Sequence, residues 1–258
     1  LENKTVQTSL GRLYDGFHQS RERAAEATPG WEVIQDRARA IKAHTIGRLD
    51  SYLEMVESSV TRAGGNVFFA SDADAASKYV LDLAAARGVK MVIKGKSMLS
   101  EEMGLNQQLE AVGIEAVETD LGEYLIQLRE ETPYHIIAPA LHMSRDDVAT
   151  LLQDKLGAPR YERAEEMTAA ARDLLREKFI HADMGITGAN FLVAETGTLV
   201  LVTNEGNGRM CTSLPKVHVA LMGMEKVVPA LEDMAVMLRL LPRAATGQRI
   251  TSYASFIS

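Results

Sequence analysis

Two carboxylates close to glycines mark the segment AETGTLVLVTNEGNGRM, residues 194–210. Glu195 falls between two apolar runs, ANFLVA and TLVLVT, and Glu205 follows the second. A carboxylate so placed acts as a general base or nucleophile, or accepts a hydrogen bond from a ligand hydroxyl. Between strands buried on both faces, Glu195 would be costly without a partner or a task. Asn204, Gly206, Asn207 and Gly208 tolerate positive φ, so a plain turn accounts for them. A turn alone does not ask for Glu205 and Arg209. The functional reading has Glu195, Asn204, Glu205 and Arg209 lining one cleft, where a guanidinium suits a planar anion. Thr196 and Gly197 beside Glu195, and Thr187 and Asn190 in GITGAN, are further candidates for ligand contact.

A second set opens with KGKSM, residues 94–98. A phosphate loop would need glycine five positions before Gly95, and Lys90 stands there, so this is not a Walker A loop. Lys94, Lys96 and Ser97 nevertheless fall where a strand ends and a helix begins, a favoured place for an anion. The bland alternative makes both lysines solvated loop charges. In VETDLGEY, Glu118, Thr119, Asp120 and Glu123 also follow a strand; they either contact a ligand or, for Thr119 or Asp120, cap the next helix. The six histidines form no recognised metal spacing, and no metal site is expected. Cys211 reads as a candidate nucleophile or, more commonly for its type, an inert buried thiol.

These groups need strands and helices to position them. Helical periodicity covers residues 5–27 and 32–62, broken by TPGW. Strands then alternate with helices: strands at 67–70, 89–94, 114–118 and 135–140, and helices to 87, over 101–112, after 120, and from the SRDD capping box to 156. A helix over 165–182 precedes ANFLVA and TLVLVT, which must form a hairpin. VHVALM, a helix over 228–241 and ITSYASFI complete the pattern. The expected class is α/β, a mostly parallel sheet with an antiparallel hairpin, helices on both faces, and an N-terminal helical extension.

The composition fits a globular chain: 258 residues, 46% hydrophobic and 24% charged, with a formal net charge of −7. No basic face points to nucleic acid, and no apolar run is long enough for a transmembrane helix. The chain opens on Leu1 rather than Met, which reads as a piece of a longer one, and it carries no secretory signal pattern. A single cysteine excludes an intrachain disulfide and fits a cytoplasmic location.

KGKSM, EEMGLN, VETDLGEY, GITGANFLVAETG, VTNEGNGRMCTSLPKVH and GMEK together resemble the lactate-utilization protein B family, iron–sulfur subunits of a bacterial L-lactate oxidation system. The resemblance runs from Trp31 to the end and is most specific over residues 185–216. After the helical arm read at 1–62, it implies at 63–258 a lactate-utilization (LUD) domain similar to CoA-transferase and sugar-isomerase folds. It also implies a ferredoxin-like part with two 4Fe-4S clusters, expected outside this segment, which has no cofactor of its own. Implied partners are the other subunits of that system; a small anionic ligand is a further candidate, and a blander reading makes residues 1–62 a scaffold arm that binds those subunits. In CoA-transferase-like relatives a Glu-x-Gly glutamate forms a covalent intermediate. Glu195-Thr196-Gly197 matches that local pattern, so the alternative is a stand-alone acyl/CoA-transferase- or isomerase-like enzyme using Glu195.

Overall fold

A computed structural model describes residues 4–131 and 138–258. Three helices come first: α1 (Lys4–Glu26), α2 (Trp31–Ile46) and α3 (Leu49–Arg62). Then follow α4 (Ala73–Arg87), β1 (Met91–Lys94), α5 (Met98–Glu102), α6 (Leu105–Ala111), β2 (Glu115–Glu118) and α7 (Leu121–Arg129). Beyond them lie α8 (Arg145–Leu156), α9 (Ala164–His181), β3 (Met184–Gly188), β4 (Phe191–Val193) and β5 (Thr198–Thr203). The chain closes with α10 (Asn207–Ser213), β6 (Val217–Leu221), β7 (Val227–Val228), α11 (Leu231–Thr246) and β8 (Tyr253–Ile257). Two compact units share these elements. The first comprises the described residues of Leu1–Leu10, Ser71–Gly188 and Asn207–Leu221; the second comprises Gly11–Ala70, Ala189–Gly206 and Met222–Ser258.

The first unit is built on a four-stranded parallel sheet in the order β2-β1-β3-β6. Successive strand residues face opposite sides, so Val92, Ala116 and Met184 enter one core while Ile93 and Val117 enter another. Leu105 and Leu109 of α6, with Val80 and Ala84 of α4, cover the first face. Tyr124 of α7, Leu175 and Phe179 of α9 and Cys211 of α10 cover the second. The chain leaves β1 for β2 on one side, and β3 lies on the other. That reversal at the carboxyl end of β1 is where open α/β sheets leave room for a ligand.

The second unit holds the mixed sheet β7-β4-β5-β8. The expected hairpin is present as β4 and β5, joined antiparallel with Val193 opposite Thr198. It belongs to this second sheet rather than extending the parallel one, because β4 pairs with β7 and β5 with β8. Ala38 and Ile41 of α2 and Met234 and Met237 of α11 pack on Val193, Val200 and Val228. Val56 of α3 packs on the other face, against Leu192, Ala194 and Val227. The α/β class with helices on both faces of its sheets is therefore the observed one.

Several expected elements differ in detail. The long helix over 32–62 is two helices, parted at Gly47 and Arg48, and the helix over 101–112 breaks at Gly104, whose φ is 61°. Residues 67–70 form no strand. GITG, which is not among the expected strands, makes up most of β3. A Cβ on Gly185 would lie 1.9 Å from the Cys211 carbonyl oxygen, so this strand needs a glycine where the backbone of α10 presses on it. The expected strand over 135–140, with His135, falls largely outside the described residues. Ser144 and Asp147 do form the capping box of α8.

Candidate active site at the carboxyl edge of the parallel sheet

Lys94 ends β1 in register with Glu118, which ends β2. Neighbouring positions on parallel strands point to the same face, so ammonium and carboxylate meet: Nζ donates to Glu118 Oε1 at 2.6 Å. Lys94 is 1% exposed and Glu118 3%. Nζ also donates to Asn106 Oδ1 at 2.6 Å, and Glu101 Oε1 lies 3.6 Å away. Asn106 Nδ2 in turn donates to Glu118 Oε1 at 2.8 Å. Two hydrogen bonds and a nearby second carboxylate surround the ammonium. Losing either member of such a pair costs about 3–5 kcal/mol, because the other charge stays buried alone. Lys94 is thus no solvated loop charge. Burial, opposed by Lys94 and reinforced by Glu118, holds the Glu101 carboxyl above the usual range.

One helix turn further, Asp120 is the N-cap of α7 and accepts from the amides of Gly122 and Glu123 at 3.1 and 3.3 Å. The capping reading of Asp120 is what the geometry supports. Glu123, in the first turn, is 4% exposed. Its Oε1 lies 4.0 Å from Lys96 Nζ, while its buried Oε2 has no hydrogen-bond partner among the described residues. Burial first, and then the Glu118 carboxylate, push Glu123 up to about 8. Lys96 itself is partly exposed. Ser97 caps α5, accepting from the Ser100 amide at 3.3 Å.

Hydroxyls and an amide close this edge. Thr119 Oγ1 donates to the Lys94 carbonyl at 2.7 Å and accepts from Asn207 Nδ2 at 3.3 Å. Thr187 Oγ1 and His218 Nε2 are 2.8 Å apart, and burial lowers the imidazole's proton affinity. Cys211 Sγ lies 3.5 Å from Thr119 Oγ1; burial pushes the thiol up to about 12, so it is an inert thiol rather than a nucleophile at neutral pH.

The remaining predicted residues belong to the second unit, apart from Arg209 in the first. Glu195 and Glu205 lie before and after β5, at opposite ends of one strand, so the structure does not bring them together. Glu195 is exposed; its backbone amide donates to the Pro229 carbonyl, and its carbonyl accepts from Ser59 Oγ. Glu205 Oε2 accepts from Thr203 Oγ1 and the Asn204 amide, a local turn. Asn190 Oδ1 accepts from the Val202 amide, Thr196 Oγ1 donates to Thr198 Oγ1, and Asn204 accepts from the Ser252 amide. Gly197 and Gly206 supply positive φ, and a Cβ on Gly197 would lie 2.8 Å from Val60 N. Arg209 is exposed on α10. In the first unit the structure gathers Lys94, Lys96, Ser97, Thr119, Asp120, Thr187 and Asn207, and it adds Asn106 and His218. Asn106 carried no local signal, since its role depends on a strand partner twelve residues away. Glu123 was legible as a strand-end acid, but Asp-x-x-Glu reads as a cap with its second acid in water.

No group of three or more His, Cys, Asp or Glu able to hold a metal occurs among the described residues. A four-iron cluster takes about four thiolates. One buried cysteine does not fit it.

Fold and site together define an α/β protein with a buried charge cluster at the carboxyl edge of a parallel sheet. The LUD domain family matches residues 53–258, and the chain belongs to that family. Lactate utilization protein B of Bacillus pumilus (strain SAFR-032) is 43% identical over 258 residues, covering 100% of this chain and 54% of that protein. Lactate utilization protein B of Oceanobacillus iheyensis is 44% identical over 253 residues, 98% of this chain and 53% of that one. The "Uncharacterized electron transport protein YkgF" of Escherichia coli (strain K12) is 40% identical over 258 residues, again 54% of its length. The chain therefore spans about half the length of the curated relatives it matches. No solved structure matches it. No helix among the described residues is long and apolar enough to cross a membrane.

Proposed function

We propose that this chain is the LUD part of a cytoplasmic protein of lactate utilization, and that its parallel sheet binds a small carboxylate such as lactate or pyruvate. The observation that supports this most is the cluster at the ends of β1 and β2. Buried Lys94 and Glu118 form a rigid base there, and Lys96 and Glu123 stand beside it. The similarity to lactate utilization proteins B and to an electron transport protein supports the pathway assignment. Electrons would pass through iron–sulfur clusters held by the remainder of a protein of the relatives' length, and the other subunits of the system would be its partners. This chain's share is to hold the anion, Lys96 supplying the charge and the hydroxyls of Ser97 and Thr119 the polar lining.

Thermal unfolding with and without ligand tests the reading. Free ligand at ten times its Kd stabilises the native state by about 1.4 kcal/mol. Lactate or pyruvate should therefore raise Tm, and Lys96→Ala should abolish the rise. A wild-type chain unmoved by either acid at millimolar concentration would sink the proposal.

A further inference from the structure

The Glu123 carboxyl is set for a partner that the described protein does not supply. It is 4% exposed, and its Oε2 is buried without a hydrogen bond among the described residues. The charges facing it come from every side of the site. Glu118 approaches from β2, Glu101 from α5, Asp120 from its own helix cap, and Lys96 from the loop after β1. Lys94 Nζ donates to Glu118 and Asn106, with Glu101 3.6 Å away. The amides of Gly122 and Glu123 donate to Asp120. The Lys96 ammonium lies 4.0 Å from Glu123 Oε1, and Oε2 is the buried oxygen that lacks a hydrogen bond among the described residues.

An ionised Glu123 would repel an anion brought to Lys96, since like charges at a few ångströms are costly in a partly buried site. A neutral one would attract it, because its O–H becomes a donor. We propose that Glu123 binds ligand as a neutral carboxyl, its Oε2 hydroxyl donating to the carboxylate of a small organic acid held by Lys96. This rests on the carboxylate-binding reading above and goes on to name the donor and its protonation state. The raised proton affinity of Glu123 agrees with it. The balance is simple. Where Glu123 is ionised, one proton from solvent joins it as one ligand anion enters, and the site's net charge is unchanged.

Titration calorimetry of lactate and pyruvate tests this on wild type, Glu123→Gln and Glu123→Leu. Measurements at several pH values between about 6 and 10, in two buffers of different ionisation enthalpy, count the protons exchanged. Wild type should take up about one proton per ligand above the Glu123 titration, and lose about tenfold in affinity per pH unit there. Glu123→Gln keeps a neutral donor, so it should bind with a flat profile over that range and no Glu-linked uptake. Glu123→Leu has no donor and should bind more weakly than Glu123→Gln at every pH. Wild-type binding without proton uptake, or profiles that coincide for wild type and Glu123→Gln, would overturn the inference alone. A wild type that binds neither acid overturns the carboxylate-binding reading, and this inference falls with it. The proton count on wild type needs no variant to fold.

Discussion

Glu123 also leaves a mark on stability that needs no ligand. An ordinary glutamate titrates near 4.5, and in the folded chain this one is pushed up to about 8 by burial and by Glu118. Between those values the native chain holds a proton that the unfolded chain has released. Stability therefore falls as pH rises across that window, is whole below it and is lost above it. The slope approaches about 1.4 kcal/mol per pH unit. Urea unfolding of wild type and Glu123→Gln at a series of pH values reads it directly. The wild-type curve should fall across the window relative to that of the glutamine variant, which carries no proton there. Parallel curves would mean that Glu123 is ionised like a surface acid. Lys94 teaches a related lesson about single residues. Its type and its place at a strand end fit an anion ligand or a solvated charge equally well. Only the register of β1 with β2, which sets it beside Glu118, decides for a buried pair.

At the scale of elements, the contact of α10 with β3 organises the site, since α10 begins at Asn207 and carries Cys211. It depends on Gly185, where an added Cβ would lie 1.9 Å from the Cys211 carbonyl oxygen and 3.2 Å from Pro215 Cγ. Gly185→Ala must therefore push α10 off the sheet or bend β3. Overpacking of this kind costs about 1–3 kcal/mol and more where backbone is the obstacle. Expected outcomes are a lower Tm and a Cys211 thiol that reacts with a disulfide reagent, which the buried wild-type thiol resists. An alanine variant with unchanged Tm and thiol reactivity would refute the contact. The same contact shows where reading the sequence stops. Apolar runs gave β2, β5 and β6 to within about a residue, and SRDD gave the start of α8, because those signals are local. GITG carries no strand signal because glycine is poor in strands. Its reason lies in a helix more than twenty residues on. NGRM looked like a turn because Asn and Gly favour turns, yet it opens α10. The cleft drawn from Glu195 to Arg209 treated nearness in sequence as nearness in space, and a six-residue strand separates the two glutamates.

For the whole molecule, the N-terminal helices are the decisive segment. Residues 1–62, expected as an arm, include Ala38 and Ile41 of α2, which pack on Val193, Val200 and Val228, and Val56 of α3, which packs on Leu192, Ala194 and Val227. These are the two faces of the second unit's sheet. The family match begins at residue 53, so α2 lies ahead of it. Each buried aliphatic side chain contributes about 1.5–3 kcal/mol. A domain of ordinary stability has about 5–15 kcal/mol in all. Losing Ile34, Ile41 and Val56, all under 9% exposed, therefore removes an amount comparable with the total. If these helices served only to dock partners, their deletion would leave the second sheet intact. The packing predicts otherwise. A chain lacking residues 1–62 should lose hydrogen-exchange protection at the amides of Val193 and Val200 and bind a dye specific for exposed apolar surface. Retained protection at both amides would assign the helices to partner docking alone and detach them from the core of the second unit.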